Sequence, residues 1–154
     1  MDSHRPGVTS FVHVGLVVED LDETVRFFAL LGFDCGEPGV FSGEWIDRII
    51  GLENVTVEVV MARAPTAATC SRWCASTRLP PTLRSRRRPR TVLGSDTSPS
   101  RSTTCGGVVD RVREAGWETV GEIVDYENTF LLCYVRGPEG LIVELAERLD
   151  GAPG

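Results

Sequence analysis

The sequence predicts an α+β fold made of two βαβββ units, because short strands and helices alternate and the same order occurs twice. A helix ending in Leu-Gly-Phe at 31–33 corresponds to one ending in Ala-Gly-Trp at 115–117, so Gly32 and Gly116 lie 84 residues apart. In the same way, Arg-Ala-Pro at 63–65 and Arg-Gly-Pro at 136–138 precede corresponding turns. A chain of 154 residues with 42% hydrophobic residues can bury a core of this size.

Strands are predicted where apolar residues alternate or run together between turn residues. The predicted strands cover residues 11–18, 33–35, 55–61, 119–124, 129–135 and 141–146. The first strand is apolar on both faces except at His13, and the sequence Arg-Gly-Pro-Glu-Gly forms a turn before the last strand.

Two helices are predicted from apolar residues at helical spacing. The first begins in the acidic run Asp-Leu-Asp-Glu at 20–23, which resembles a capping box. The predicted apolar faces are Val25, Phe28 and Leu31 in the first helix, and Val108, Val109, Val112 and Ala115 in the second. Gly32 and Gly116 follow the last helical residues, where glycine commonly ends a helix.

The segment Thr66–Cys105 breaks both patterns. It holds eight of the sixteen arginines but one acid, Asp96, so it carries a charge of +7 in a chain whose remainder carries −13. It also holds three of the five cysteines and has no apolar period of 2 or 3.6. The chain contains no lysine, which suggests a GC-rich gene, where a shifted frame yields Arg, Pro, Ser and Thr. We interpret the segment as a stretch translated in the wrong reading frame; the alternative is a genuine Arg/Ser/Pro-rich loop.

The genetic code supports this interpretation. The third base of each codon from Pro65 onward, joined to the first two bases of the next, gives an apolar strand-like peptide with a glutamate across codons 71 and 72. The same operation on 95–105 gives a second such peptide, with a histidine or tyrosine across codons 96 and 97, 84 residues after His13. As written, we expect residues 66–105 to be irregular. The units then cover 8–82, disrupted from 66, and 83–149, disrupted up to 105.

Composition excludes several classes of function. A net charge of −6 argues against nucleic acid as the main partner. No apolar run approaches the roughly 18 residues of a membrane span, so no membrane partner is expected. The first residues lack the apolar stretch of a secretion signal, and we expect a cytoplasmic protein. Cys35 and Cys133 are expected to be buried thiols, and the cysteine spacing matches no common zinc pattern.

Three motifs carry a family resemblance. They are the run His-Val-Gly-Leu-Val-Val-Glu-Asp-Leu at 13–21, the helix end Leu-Leu-Gly-Phe at 30–33, and Tyr-Val-Arg-Gly-Pro-Glu-Gly-Leu-Ile-Val-Glu at 134–144. Together they resemble the vicinal oxygen chelate superfamily, which includes glyoxalase I, methylmalonyl-CoA epimerase, extradiol dioxygenases and bleomycin-resistance proteins. The resemblance covers about residues 8–65 and 106–149.

This resemblance implies a cup-shaped mixed sheet around a divalent metal ion whose ligands come from the first and last strands of each module. On this sequence it assigns His13 and Glu144 as metal ligands. The other two, a glutamate and a histidine, arise only in the shifted frame, so the chain as written carries half of the site. Such an ion acts as a Lewis acid toward substrate oxygens. No catalytic base is assigned; Glu44 and Glu58 are weaker candidates for positions near the cup.

Three hypotheses for the function follow. The first is a metal-dependent lyase or isomerase whose small substrate chelates the metal through vicinal oxygens. The second is a metal-free binding protein of the bleomycin-resistance type. The third is an inactive, frameshifted chain. All three leave the substrate, the metal identity and the substrate-binding residues unassigned, and they leave a homodimer open.

Overall fold

The computed structural model describes residues 13–64, 73–78, 92–97 and 104–149, with the backbone alone at His13 and in the strands at 73–78 and 92–97. The first module contains the elements β1 (His13–Val18), α1 (Leu21–Leu30), β2 (Asp34–Cys35), β3 (Gly39–Ser42), α2 (Glu44–Ile50), β4 (Thr56–Arg63) and β5 (Trp73–Arg78). The second module contains β6 (Val92–Thr97), α3 (Cys105–Glu114), β7 (Glu118–Thr119), β8 (Val124–Tyr126), β9 (Phe130–Arg136) and β10 (Ile142–Arg148). A single 3₁₀ turn, Pro138–Gly140, joins the last two strands.

Each module forms a mixed sheet of five strands. The first has the order β1-β5-β4-β2 with β3 also paired to β4, and the second has the order β6-β10-β9-β7 with β8 also paired to β9. The outer pairs β1–β5 and β6–β10 are parallel, whereas the inner pairs are antiparallel. The predicted α+β fold, with two βαβββ modules forming a cup-shaped sheet, is confirmed. The predicted boundary between residues 82 and 83 lies outside the described residues.

The expectation that 66–105 would be irregular is wrong for two stretches. Residues 73–78 form β5, which lies between β1 and β4 and pairs with both, and residues 92–97 form β6, which pairs with β10. A strand edge presents unpaired backbone groups that any chain segment can satisfy, whatever its side chains. Backbone pairing therefore outweighs the missing hydrophobic period here.

Helix α1 begins as its sequence predicts. The Asp20 side chain accepts a hydrogen bond of 2.8 Å from the backbone N–H of Glu23, and this caps the first turn. The helix buries a face made of Leu21, Thr24, Phe27, Phe28 and, just after its end, Leu31. Val25, predicted on this face, is only partly buried. Gly32 and Gly116 both follow their helices with positive φ, at 93° and 87°, as glycine readily does.

One apolar core joins the two modules. Phe27 and Phe28 of α1 pack in the same buried cluster as Val109 and Val112 of α3 and Val143 of β10. The ring of Phe27 meets that of Trp117 edge to face, with centroids 5.3 Å apart. The helices therefore lie side by side against the covered faces of the sheets, and the opposite faces line the cup.

Two elements of the first module were not predicted. Strand β3 and helix α2 fall in a stretch with no long apolar period, and α2 is stabilised locally. Its inner residue Ile46 packs against Val55 and Val57. The Asp47 carboxylate accepts hydrogen bonds of 2.9 Å and 2.8 Å from the backbone N–H groups of Asn54 and Val55. In the second module, the strand predicted over 119–124 is two short strands, β7 and β8, separated by a bend. Of the helices in the described part of the chain, none is long and apolar enough to cross a membrane.

Candidate functional site

The open face of the second sheet is defined by the alternation of β9 and β10. Val143 and Leu145 are buried in the core, so Ile142, Glu144 and Ala146 lie on the opposite face. On β9, Cys133 and Val135 are buried, and Leu132, Tyr134 and Arg136 share the open face. Val124 and Tyr126 of β8 pair with Leu132 and Phe130 and extend this surface, with 51% and 53% of their side chains exposed.

Tyr134 and Glu144 are direct partners in the register of β9 and β10. Their side chains are hydrogen-bonded, with the phenol as donor and the carboxylate as acceptor. The charge of Glu144 and this hydrogen bond raise the pKa of Tyr134 above its usual value, and burial adds to the shift. The two residues thus form a polar pair on a face whose other members are largely apolar.

The open face of the first sheet is apolar and partly aromatic. Val57, Val59 and Met61 of β4 alternate with Val60 and Ala62, which lie in the buried core. Phe41 of β3 pairs in register with Val57 and so lies on the same face. Helix α2 covers part of this face, where Ile46 packs on Val57, and it places Trp45 edge to face with Phe41 at a centroid separation of 6.1 Å. Phe41 and Trp45 remain 41% and 55% exposed, at the rim of the cup.

His13 is the first residue of β1, and its backbone pairs in register with Trp73 of β5. Leu16 and the partly buried Val14 and Val18 belong to the core side of this strand. Strand alternation therefore puts position 13 on the side of Gly15 and Val17, the latter 58% exposed. By alternation, His13 and Glu144 both belong to faces turned away from the core. Their predicted role as metal ligands stays a prediction.

The residues of this chain do not complete a metal site of the implied kind. A set of two histidines and two glutamates needs a second histidine in the fold, and the sequence has one besides His13, the distant His4. Among the described residues, no three side chains of His, Cys, Asp or Glu are grouped so that they could hold an ion. Two ligands alone hold a divalent ion weakly. No step of the chemistry is therefore assigned to a metal in the chain as written.

Other acids of the site motifs have different partners. Glu58 alternates with Val60 and Ala62, so it belongs to the covered side of β4 and does not line the cup. Glu139, with its 2.6 Å and 2.7 Å hydrogen bonds from the backbone N–H groups of Glu19 and Asp20, ties the 3₁₀ turn to the start of α1.

At the start of α3, the buried Glu147 accepts a hydrogen bond of 2.6 Å from the backbone N–H of Cys105. Burial, together with Cys133 and Glu147, raises the pKa of the Cys105 thiol to about 11. This thiol is therefore protonated at neutral pH and is a core residue, as is Cys133, whereas Cys35 is only partly buried.

The sequence predicted Glu144 but missed Tyr134, Phe41 and Trp45. A signal for Tyr134 was present, because a turn centred near Glu139 brings residues equally far before and after it into register. The pair follows from the predicted turn. Phe41 and Trp45 carried no such signal, since β3 and α2 have no clear period.

Solved structures with this fold identify the class. A glyoxalase-family protein from Bacillus cereus is similar, with a TM-score of 0.78 and 30% identity, over 95% of this chain and 98% of that one. A glyoxylase/bleomycin resistance protein/dioxygenase domain from Frankia has a TM-score of 0.63 at 15% identity, over 94% of this chain and 96% of that one. A member of the same superfamily from Sphaerobacter thermophilus has a TM-score of 0.60 at 16% identity, over 92% and 98%. No protein-family model and no curated protein sequence matches the chain.

The two βαβββ modules and the open cup define the class of vicinal-oxygen-chelate folds. The chain belongs to the glyoxalase family, within the glyoxalase/bleomycin resistance protein/dioxygenase superfamily.

Proposed function

We propose that the chain as written binds a small organic molecule in its cup, with the Tyr134–Glu144 pair as the polar anchor. The observation that carries this proposal is the composition of the open faces. They leave large apolar side chains exposed, among them Phe41, Met61 and Val124, around one hydrogen-bonded carboxylate. Ligand pockets typically combine an apolar lining with a few placed polar groups.

A variant that fills the cup tests this proposal. Ala146 lies on the open face of β10 and is partly exposed, so Ala146→Phe adds a ring where the ligand would lie. The neutral fluorophore N-phenyl-1-naphthylamine reports binding by enhanced emission. We expect saturable enhancement with the unaltered chain and a loss of at least tenfold in affinity in Ala146→Phe. Ala115→Phe, at an exposed position after α3, is the matched control and should bind as before. Equal affinity in the two variants would contradict binding in the cup.

A second candidate function is the ancestral one, a metal-dependent lyase or isomerase encoded by the restored frame. One observation favours it: helices α1 and α3 begin 84 residues apart, at Leu21 and Cys105, whereas β1 and β6 begin 79 apart, at His13 and Val92. The restored frame would put a histidine at the helix spacing of 84 and supply a second glutamate. That set of imidazoles and carboxylates suits a divalent ion, whose chemistry is Lewis-acid polarisation of substrate oxygens.

Resequencing codons 65–107 comes first, with one base missing near codon 65 and one extra near codon 106 as the expected result. The restored protein should then bind Ni²⁺, Mn²⁺ or Zn²⁺ with a stoichiometry of one in calorimetry. His13→Ala and Glu144→Ala should each weaken that binding by at least tenfold, and Glu122→Ala, on an exposed loop, should not. Confirmation of the printed frame, or a restored protein that binds no metal, would remove this candidate.

A further inference from the structure

We infer that the cup selects hydrophobic organic cations, molecules that join an apolar or aromatic body to an ammonium group. This inference rests on the proposed function, because it names the class of ligand that the same cup would take. It follows from the charge of the anchor, the aromatic side chains around the cup and the field of the chain.

The anchor is a carboxylate on a largely apolar face. Glu144 is partly buried, and one of its hydrogen bonds comes from the Tyr134 phenol across the strand pair. A neutral apolar ligand would take water from this carboxylate and give nothing in return, which costs free energy. An anionic ligand would add repulsion. An ammonium group restores the lost interactions with a charge-assisted hydrogen bond or a close ion pair.

The arginines on the open faces do not cancel this charge. Arg136 lies directly opposite Glu118 in the register of β7 and β9, and Arg63 lies directly opposite Asp34 in that of β2 and β4. Arg148 lies at the far end of β10, where it pairs in register with Phe130. Two of the three cationic positions thus face a carboxylate of their own.

The aromatic side chains suit a cation as well. Phe41 and Trp45 form an exposed edge-to-face pair at the rim, and Tyr126 and Tyr134 are exposed on the second sheet. Ring faces attract ammonium groups through their quadrupoles. The ring of Phe41 lies over Gly39, where a Cβ atom would be 2.9 Å from it, so the absence of a side chain at 39 allows this ring position.

The field of the molecule acts in the same direction. The chain carries −6 overall, and −13 outside residues 66–105, and a net negative charge raises the local concentration of cations. Part of the binding should therefore weaken with ionic strength.

A matched set of ligands tests the inference with the full chain. Phenyltrimethylammonium and tert-butylbenzene have nearly the same shape and differ in charge, and benzoate supplies the anion. We expect phenyltrimethylammonium to bind at least tenfold more tightly than tert-butylbenzene in calorimetry, with benzoate weaker than both. Glu144→Gln should reduce the tenfold preference to less than twofold, and Glu122→Gln should preserve it.

A second pair of variants examines the rings. Trp45→Leu should lower the affinity for phenyltrimethylammonium by threefold or more, while Trp45→Phe retains a ring and most of the affinity. Equal or tighter binding of tert-butylbenzene by the unaltered chain overturns the selectivity for cations and leaves the cup as a binding site. Absence of binding for every ligand, N-phenyl-1-naphthylamine included, overturns the proposed function and this inference together. A cation preference that survives Glu144→Gln overturns the role of the anchor.

Discussion

At the scale of single residues, the site depends on one cross-strand contact. Tyr134 and Glu144 are ten positions apart in sequence but directly opposite in the sheet, and each restricts the rotamers of the other. Glu144 was found from the sequence because a carboxylate in an apolar strand needs a partner. The partner could be identified only once the register of the hairpin was known.

This contact predicts the ionisation of the phenol. The pKa of Tyr134 is raised by the charge of Glu144, by their hydrogen bond and by burial, so the neutral phenol is the favoured form in the fold. Stability from this contact is complete below the pKa of an unfolded tyrosine, about 10, and is lost as pH rises through the higher folded value. Glu144→Gln removes the first cause and should lower the midpoint.

Absorbance at 295 nm measures this ionisation. The chain has two tyrosines, so Tyr126→Phe isolates the signal of Tyr134. In that background Glu144→Gln should move the midpoint toward lower pH, while Glu122→Gln should leave it unchanged. An unchanged midpoint in Glu144→Gln would show that the two side chains are not in contact.

At the scale of elements, the sequence predicts those whose side chains face a core and misses those defined by a neighbouring strand. Helices α1 and α3 and strands β4, β9 and β10 carry clear apolar periods, and the structure has them within a few residues of the predicted bounds. Strands β5 and β6 have no such period and exist through backbone pairing with β1, β4 and β10. The aromatic rim was missed for the same reason, since α2 depends on the Asp47 hydrogen bonds and on contacts with β4.

The contact between α1 and the turn before β10 predicts a strong effect at one glycine. A Cβ atom at Gly137 would lie 2.6–3.0 Å from the ring of Phe27, which is fully buried. Gly137→Ala therefore forces either the ring or the turn to shift, and such overpacking typically costs about 1–3 kcal/mol. Urea unfolding should show this as a lower midpoint with an unchanged slope.

Gly121→Ala is the matched control for this prediction. Nothing lies within 4 Å of a Cβ atom at Gly121, which is exposed in the bend between β7 and β8. Its midpoint should stay close to that of the unaltered chain. Equal midpoints for the two variants would mean that the turn does not pack against α1 as described.

At the scale of the whole molecule, the two modules share one interior. The repeat in the sequence gives two similar units, and each could in principle have its own core. In the structure, Leu16 and Phe28 of the first module pack in one cluster with Val109 and Leu145 of the second. Glu139 adds two hydrogen bonds between the modules at the start of α1. Units that share a core lose their stability together.

A shared core predicts that damage in one module is measured in both. Val109→Ala removes buried methyl groups from α3, where Val109 is fully inaccessible, at a cost of about 2 kcal/mol from lost burial alone. Hydrogen exchange read by mass spectrometry should then show equal losses of protection in the α1 and α3 peptides. Val40→Ala, at a position 68% exposed on β3, is the control and should change neither. If α1 keeps its protection while α3 loses it, the modules unfold separately. The cup between them would then be an interface that a ligand can open, and ligand binding should restore protection in α3.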